Sequence, residues 1–128
     1  MLNIVDSSGW VEYFENSVNA DFFAPGIQKT ETLIVPTICL YEVFKRITIA
    51  RGEDEALRAI GFMSLGMAAD LNQAISISAA QISIENKLSM ADSIILATAL
   101  AHNATLLTQD EHFKAIPGVQ YIEKLLRR

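Results

Sequence analysis

Asn3–Trp10 reads NIVDSSGW; with Leu2 in front, an apolar run from Leu2 to Val5 is closed by Asp6-Ser7-Ser8-Gly9. A short apolar run ended by turn-forming residues predicts a buried strand followed by a turn. Gly9 to Glu15 then sets Trp10, Val11 and Phe14 at helical spacing, with Ser8 the expected N-cap. Strand, turn and helix follow one another within a few residues, which is how a β/α unit begins. Asp6 stands directly after the strand, at its carboxyl end.

Working outward, the same alternation recurs. Asp21 to Lys29 predicts a short helix disturbed by Pro25-Gly26. Leu33-Ile34-Val35-Pro36 predicts a second buried strand, after which Thr37 is expected to cap a helix running to about Ala50 and ended by Gly52. Glu53 to Leu65 carries Ala56, Ile60 and Met63 on one helical face, and Gly66 to Asp70 predicts a weak third strand. In Ala74 to Lys87, Ile75-Ser76-Ile77-Ser78 alternates like a strand, while Ile75, Ala79 and Ile82 fit a helix. Length and the paired alanines favour the helix. Ser89 to His102 predicts a helix with Ser89 as N-cap and Asn103 just past its end; Thr105 to Thr108 and Val119 to Ile122 predict the last strands, with a turn at Pro117-Gly118. Strands alternating with helices imply an α/β fold, a parallel sheet with helices on both faces and right-handed crossovers. Ligands in such sheets bind beyond the carboxyl ends of the strands, where the strand order reverses.

A length of 128 residues suits one domain, residues 1–128, around one core. A chain that is 51% hydrophobic and 20% charged is not an extended disordered one. Cys39 is the single cysteine, which leaves no intramolecular disulfide and predicts a small buried core residue. The opening residues lack the pattern of a signal peptide. The longest apolar stretch, Ile94 to Ala101, is too short to span a bilayer and contains Thr98. A cytoplasmic protein is expected. The formal charge of -5 argues against binding nucleic acid through a broad basic surface.

The acidic residues suggest another route. Asp6 follows the first strand, and Asp110 stands two residues beyond Thr105–Thr108, so both belong to the carboxyl edge of the sheet. Glu42 lies in the first turns of the helix after the second strand, and Asp92 is the third residue after Ser89. Such helix starts point back toward the same edge. Gathered carboxylates repel one another unless a cation neutralises them. Oxygen donors alone favour Mg2+, with Mn2+ as a substitute, over zinc. A metal held this way draws a scissile phosphate without a basic surface. Lys45, Arg46 and Arg51, on the helix that carries Glu42, could hold flanking phosphates, although each reads more simply as part of a solvated helix face.

The strings NIVDSSGW, LIVPTICLYEV (Leu33–Val43), KLSMADSIILATA (Lys87–Ala99) and LLTQDEHF (Leu106–Phe113), in this order, resemble the motifs of PIN domains, especially VapC-type toxins of toxin–antitoxin pairs. The resemblance runs from Met1 to Ile122. It implies a three-layer α/β/α fold with a mainly parallel sheet in the order 3-2-1-4-5. By motif, Asp6, Glu42, Asp92 and Asp110 match the family's acidic metal residues. Thr108 matches its hydroxyl beside the last aspartate, and Ser7 is a weaker candidate for a polar contact. The implied activity is Mg2+-dependent cleavage of RNA by a homodimer, restrained by a cognate antitoxin.

Each residue also has a plainer role to play. Asp6 suits a turn or a helix cap, Asp92 favours a helix dipole, and Asp110 suits a cap of the turn at Glu111 to Phe113. Tyr41 and Val43 beside Glu42 suggest that it is partly buried. His112 reads most simply as an exposed loop histidine, and His102 as a complement to the end of its helix. Trp10, Phe14, Phe22 and Phe23 read as core or dimer contact, and Arg127-Arg128 as a solvated tail. Trp10, Phe22, Phe23, Phe62 and Met63 exceed what one small core needs, which predicts a two-fold dimer with the early helices as its contact. The alternative function is a non-catalytic PIN-like module whose acidic pocket holds a basic partner. A receiver domain is disfavoured because Asp6 has no acidic neighbour and no lysine directly follows a late strand; a haloacid-dehalogenase motif fails because position 8 is Ser8.

Overall fold

The computed structural model describes residues 1–125, so the Arg127-Arg128 tail lies outside the described residues. The strands are β1 Asn3–Val5, β2 Leu33–Pro36, β3 Met67–Ala69, β4 Thr105–Thr108 and β5 Val119–Tyr121. The helices are α1 Ser7–Phe14, α2 Ala20–Gln28, α3 Thr37–Arg51, α4 Glu53–Met63, α5 Gln73–Asn86 and α6 Met90–Ala101. Single 3-10 turns occupy Thr30–Thr32 and Glu111–Phe113. The sheet order is β3-β2-β1-β4-β5 and every pairing is parallel. Both the class and the strand order match expectation.

Successive residues of a strand point to opposite faces. Ile4 and Val5 in β1, all of β2, and Leu106 to Thr108 in β4 are buried, so helices cover both faces of the central sheet. This makes the three-layer α/β/α arrangement. The core joins these strands to one face of each helix, for instance Val43 and Ile47 of α3, Ala56 and Met63 of α4, and Ile95 of α6.

Several helix ends differ from expectation. α1 starts at Ser7 and its N-cap is Asp6, whose Oδ1 accepts from Ser7 N at 2.7 Å; Ser8 is inside the helix. β1 stops at Val5, so the helix starts two residues earlier than the Gly9 periodicity implies. Thr37 does not cap α3 but is its first residue, with Pro36 at the cap position and no side-chain cap bond. The fixed φ of proline, -60° here, already suits the entry to a helix. Pro25 is accommodated inside α2. The ambiguous stretch is α5, with Asn72 as its N-cap, and it buries Ile75, Ala79 and Ile82 as the helical reading requires. Ser89 caps α6, and Asn103 just beyond it takes a positive φ of 50°. His102 is the residue after α6, where Nδ1 lies 2.9 Å from the Thr98 carbonyl.

Candidate metal centre

The strand order places β1 beside β4, with Val5 opposite Leu107. From β1 the chain moves outward to β2, and β4 continues on the other side to β5, so the order reverses between β1 and β4. Asp6 N donates to the Leu107 carbonyl at 3.0 Å, which extends the pairing by one residue. Asp6 therefore lies beside Thr108, whose Oγ1 donates to Asp6 Oδ2 at 2.8 Å. Ser8 Oγ lies 3.3 Å from the same oxygen. Asp6 is only 4% exposed, so these donors replace most of its water.

The other carboxylates arrive from separate elements. Glu42, in α3, is half-buried and accepts from Ser7 Oγ at 2.7 Å, so Ser7 has a firmer role than expected. Of its expected neighbours, Val43 is buried but Tyr41 is 60% exposed. Asp92 occupies the third position of α6, where Ser89 Oγ accepts from its N–H at 3.3 Å. Asp110 follows β4; its N–H donates to Thr108 Oγ1 at 3.0 Å, and its Oδ1 accepts from His112 N at 3.0 Å. Oxygens of Asp92 and Asp110 and a ring nitrogen of His112 lie within 4.8 Å of one another. The plainer roles are thus filled by the same residues: Asp6 caps α1, Asp92 sits in the first turn of α6, and Asp110 caps the 3-10 turn.

Electrostatics mark the cluster. Burial, with the nearby charges of Asp92 and Asp110, pushes Asp6 up to about 7, against the lowering effect of Thr108 and Ser7. Burial and the charges of Asp110 and Glu42 push Asp92 up to about 6. Neighbouring charges thus resist the ionisation of Asp6 and Asp92, a condition that a bound cation would relieve. Cys39 is fully buried beneath them, and burial pushes its thiol well above the usual range. It is a core residue, as expected, and not a reactive one.

The sequence reading missed some contributors. His112 is exposed as foreseen, yet its Nδ1 lies 3.1 Å from Asp110 Oδ1. Half-buried Glu12 and buried Asn19 and Gln109 form a hydrogen-bonded polar group next to Asp110. No motif spacing flags them, because Asn19 and Gln109 lie 90 positions apart and meet only through the sheet. Among the basic candidates, Lys45 and Arg46 are exposed on α3. Arg51 is nine residues beyond Glu42, about 13 Å along a helix axis, and lines a separate cleft with Glu15, Glu55 and Arg58. It is removed from the carboxylates. A cleft of about 410 Å3 opens beside the cluster, lined by Ser8, Asp110, His112, Tyr121 and Lys124 among others.

Residues 4–119 match the model of the PIN domain family. The chain belongs to the PIN-domain family. Its fold is similar to that of a toxin–antitoxin complex chain from Klebsiella pneumoniae, at 24% identity and a TM-score of 0.79, over 92% of this chain and 95% of that one. It is similar also to a chain of VapBC2 from Rickettsia felis, solved with a DNA fragment of their promoter, at 17% identity and a TM-score of 0.74, over 96% and 98% of the two chains. VapC20 of Mycobacterium tuberculosis, described as a toxin that cleaves the sarcin–ricin loop, matches at 15% identity and a TM-score of 0.75, over 90% and 95%. None of the curated proteins matches the sequence. Among the described residues, no helix of this PIN-domain chain is long and apolar enough to cross a membrane.

Proposed function

We propose that this PIN-domain protein is a Mg2+-dependent endoribonuclease that hydrolyses RNA phosphodiester bonds. On this reading it is the toxin of a type II toxin–antitoxin pair, works in the cytoplasm as a homodimer of single-domain chains, and is held in check by a cognate antitoxin. The observation that carries the reading is the approach of Asp92 and Asp110 to within 4.8 Å at the switch point, where their charges also bear on buried Asp6, raised to about 7, and that of Glu42 on Asp92, raised to about 6. The likeness in fold to toxin–antitoxin proteins supports the biological role.

The donor set fits a hard divalent cation. Asp6, Glu42, Asp92 and Asp110 offer only carboxylate oxygens, which suits Mg2+, with Mn2+ as a substitute. Bound there, the metal supplies an acidified water and positive charge for the phosphodiester oxygens. The protein's own groups hold the ligands still. Thr108 Oγ1 and Ser7 N clamp the two oxygens of Asp6, and Ser7 Oγ holds Glu42. His112 steadies Asp110 from the cleft side. Lys45 and Arg46 are exposed near Glu42 to meet flanking phosphates. An acidic protein then needs no broad basic surface, because the attraction for phosphate is concentrated at the metal.

The test is RNA cleavage by the purified chain. Asp6→Asn and Asp92→Asn are expected to lower the rate by orders of magnitude while remaining folded, since each change misplaces the metal. Chelator should stop the wild type and Mg2+ or Mn2+ restore it, with sequencing of RNA ends after brief expression naming the target. Near-wild-type cleavage by either variant, or full activity in excess chelator, would refute the assignment.

A further inference from the structure

We propose that Glu12, Asn19 and Gln109 form a hydrogen-bonded ring that fixes Asp110, which makes them positioning residues of the metal centre. This rests on the metal reading above. Gln109 stands between Thr108 and Asp110 and is 4% exposed. Its Oε1 accepts from Asn19 Nδ2 at 3.0 Å, and its Nε2 donates to Glu12 Oε1 at 3.2 Å. Glu12 Oε2 accepts from Asn19 N at 2.8 Å, which closes the ring. Asn19 Nδ2 also donates to the Glu123 carbonyl at 3.0 Å. The ring therefore ties α1, the α1–α2 connection and the exit of β4 to the chain beyond β5.

Polarity at this place is not needed for burial alone. Leu106 and Leu107, in the strand that leads into it, fill their buried sites with apolar side chains. An apolar residue at 109 would fill space without directing the backbone. The Gln109 amide is held at both ends by bonds of opposite polarity, so it accepts one orientation only. The backbone on either side is tied to the cluster: Thr108 Oγ1 donates to Asp6 and accepts from Asp110 N. A shift of Gln109 moves Asp110 relative to Asp6. None of the ring side chains hydrogen-bonds a cluster carboxylate among the described residues, so their effect passes through the backbone. Residues behind metal ligands commonly set metal affinity in this way.

Two variants break the ring differently. Gln109→Leu removes both side-chain bonds and leaves the net charge unchanged. Glu12→Gln keeps the shape but turns an acceptor into a donor, so one bond of the ring must face donor to donor. Ile82→Ala in α5, a buried site on an element that carries none of the ring or cluster residues, is the stability control. The full-length chain is titrated with Mn2+ alone and the bound ion counted by electron paramagnetic resonance, with melting curves in chelator alongside. Both ring variants are expected to bind Mn2+ about tenfold more weakly or worse, and excess Mn2+ to restore RNA cleavage. Ile82→Ala should melt lower yet bind Mn2+ like wild type. Mn2+ binding by both ring variants within twofold of wild type would overturn the proposal. Should Gln109→Leu fail to fold, Glu12→Gln decides alone by the same criterion. A wild-type chain that binds no Mn2+ would overturn the metal reading itself, and the ring's role with it, which is a separate result.

Discussion

Asp6 does two jobs that conflict energetically. It caps α1, and it is the most deeply buried carboxylate of the cluster. Its ordinary value is 3.8 and its folded value about 7, raised first by burial. Between those values the folded chain holds a proton that the unfolded chain has released. The metal-free protein is therefore most stable at the low end of that window and loses stability as pH rises toward 7. Melting in chelator is expected at a higher temperature near about pH 5 than near about pH 8, with a smaller difference in Asp6→Asn. No change with pH in the wild type would show that Asp6 is not strained. Asp110 contributes to the same repulsion, raising both Asp6 and Asp92. Asp110→Asn removes that charge, and asparagine retains an oxygen able to accept from His112 N. The variant should melt higher than wild type in chelator while losing RNA cleavage, a trade of stability against function. A lower melting temperature would identify Asp110 as chiefly a structural cap.

At the scale of elements, the site depends on helices that start at once where strands stop. α1 follows β1 through Asp6 alone, and α3 follows β2 with no intervening residue. Such tight joins demand close packing. A Cβ on Gly9 would lie 2.6 Å from Phe23 Cε1 and 2.8 Å from Val5 Cγ1, closer than real Cβ contacts. Glycine at this position lets α1 lie against both β1 and α2. Gly9→Ala is expected to cost about 1–3 kcal/mol by overpacking, read as a fall of several degrees in melting temperature. Because α1 carries Glu12 and begins at Asp6, Mn2+ affinity should fall too. An unchanged melting curve would mean that α2 moves aside freely.

For the whole molecule, the proposed metal and the proposed dimer would each act on stability. Metal that binds only the folded chain stabilises it by mass action, so Mg2+ should raise the wild-type melting temperature, and much less that of Asp110→Asn. The apolar excess that suggests a dimer is distributed differently from the expectation. Trp10, Phe23 and Met63 are fully buried, so they cannot form a contact between chains. Ile49 on α3 and Leu57 and Phe62 on α4 are exposed and shift the expected contact from the first helices to these two. Light scattering at micromolar concentration should give twice the 14.1 kDa chain mass. A monomeric mass would sink the homodimer.

The sequence by itself determined the alternation of strands and helices, because burial on one or both faces imposes a local period on apolar residues. It placed Asp6 and Asp110 at strand ends and Ser89 at a helix start, where the residue types alone signal the position. It also supplied the motif likeness that brought the sheet order, and the proposed site residues, with it. Tertiary structure decided the rest. Whether Ser8 or Asp6 capped α1 depended on where pairing with β4 let β1 end. Whether Thr37 capped α3 depended on Pro36 lying in the sheet. Arg51 fell away from the carboxylates because α3 is long enough to carry it there. The Glu12–Asn19–Gln109 ring left no local trace, since its members are ordinary polar residues until parallel pairing of distant strands brings them together. Periodicity is a property of neighbours in the chain. Hydrogen bonds across the switch point are made between residues that only the folded sheet makes neighbours.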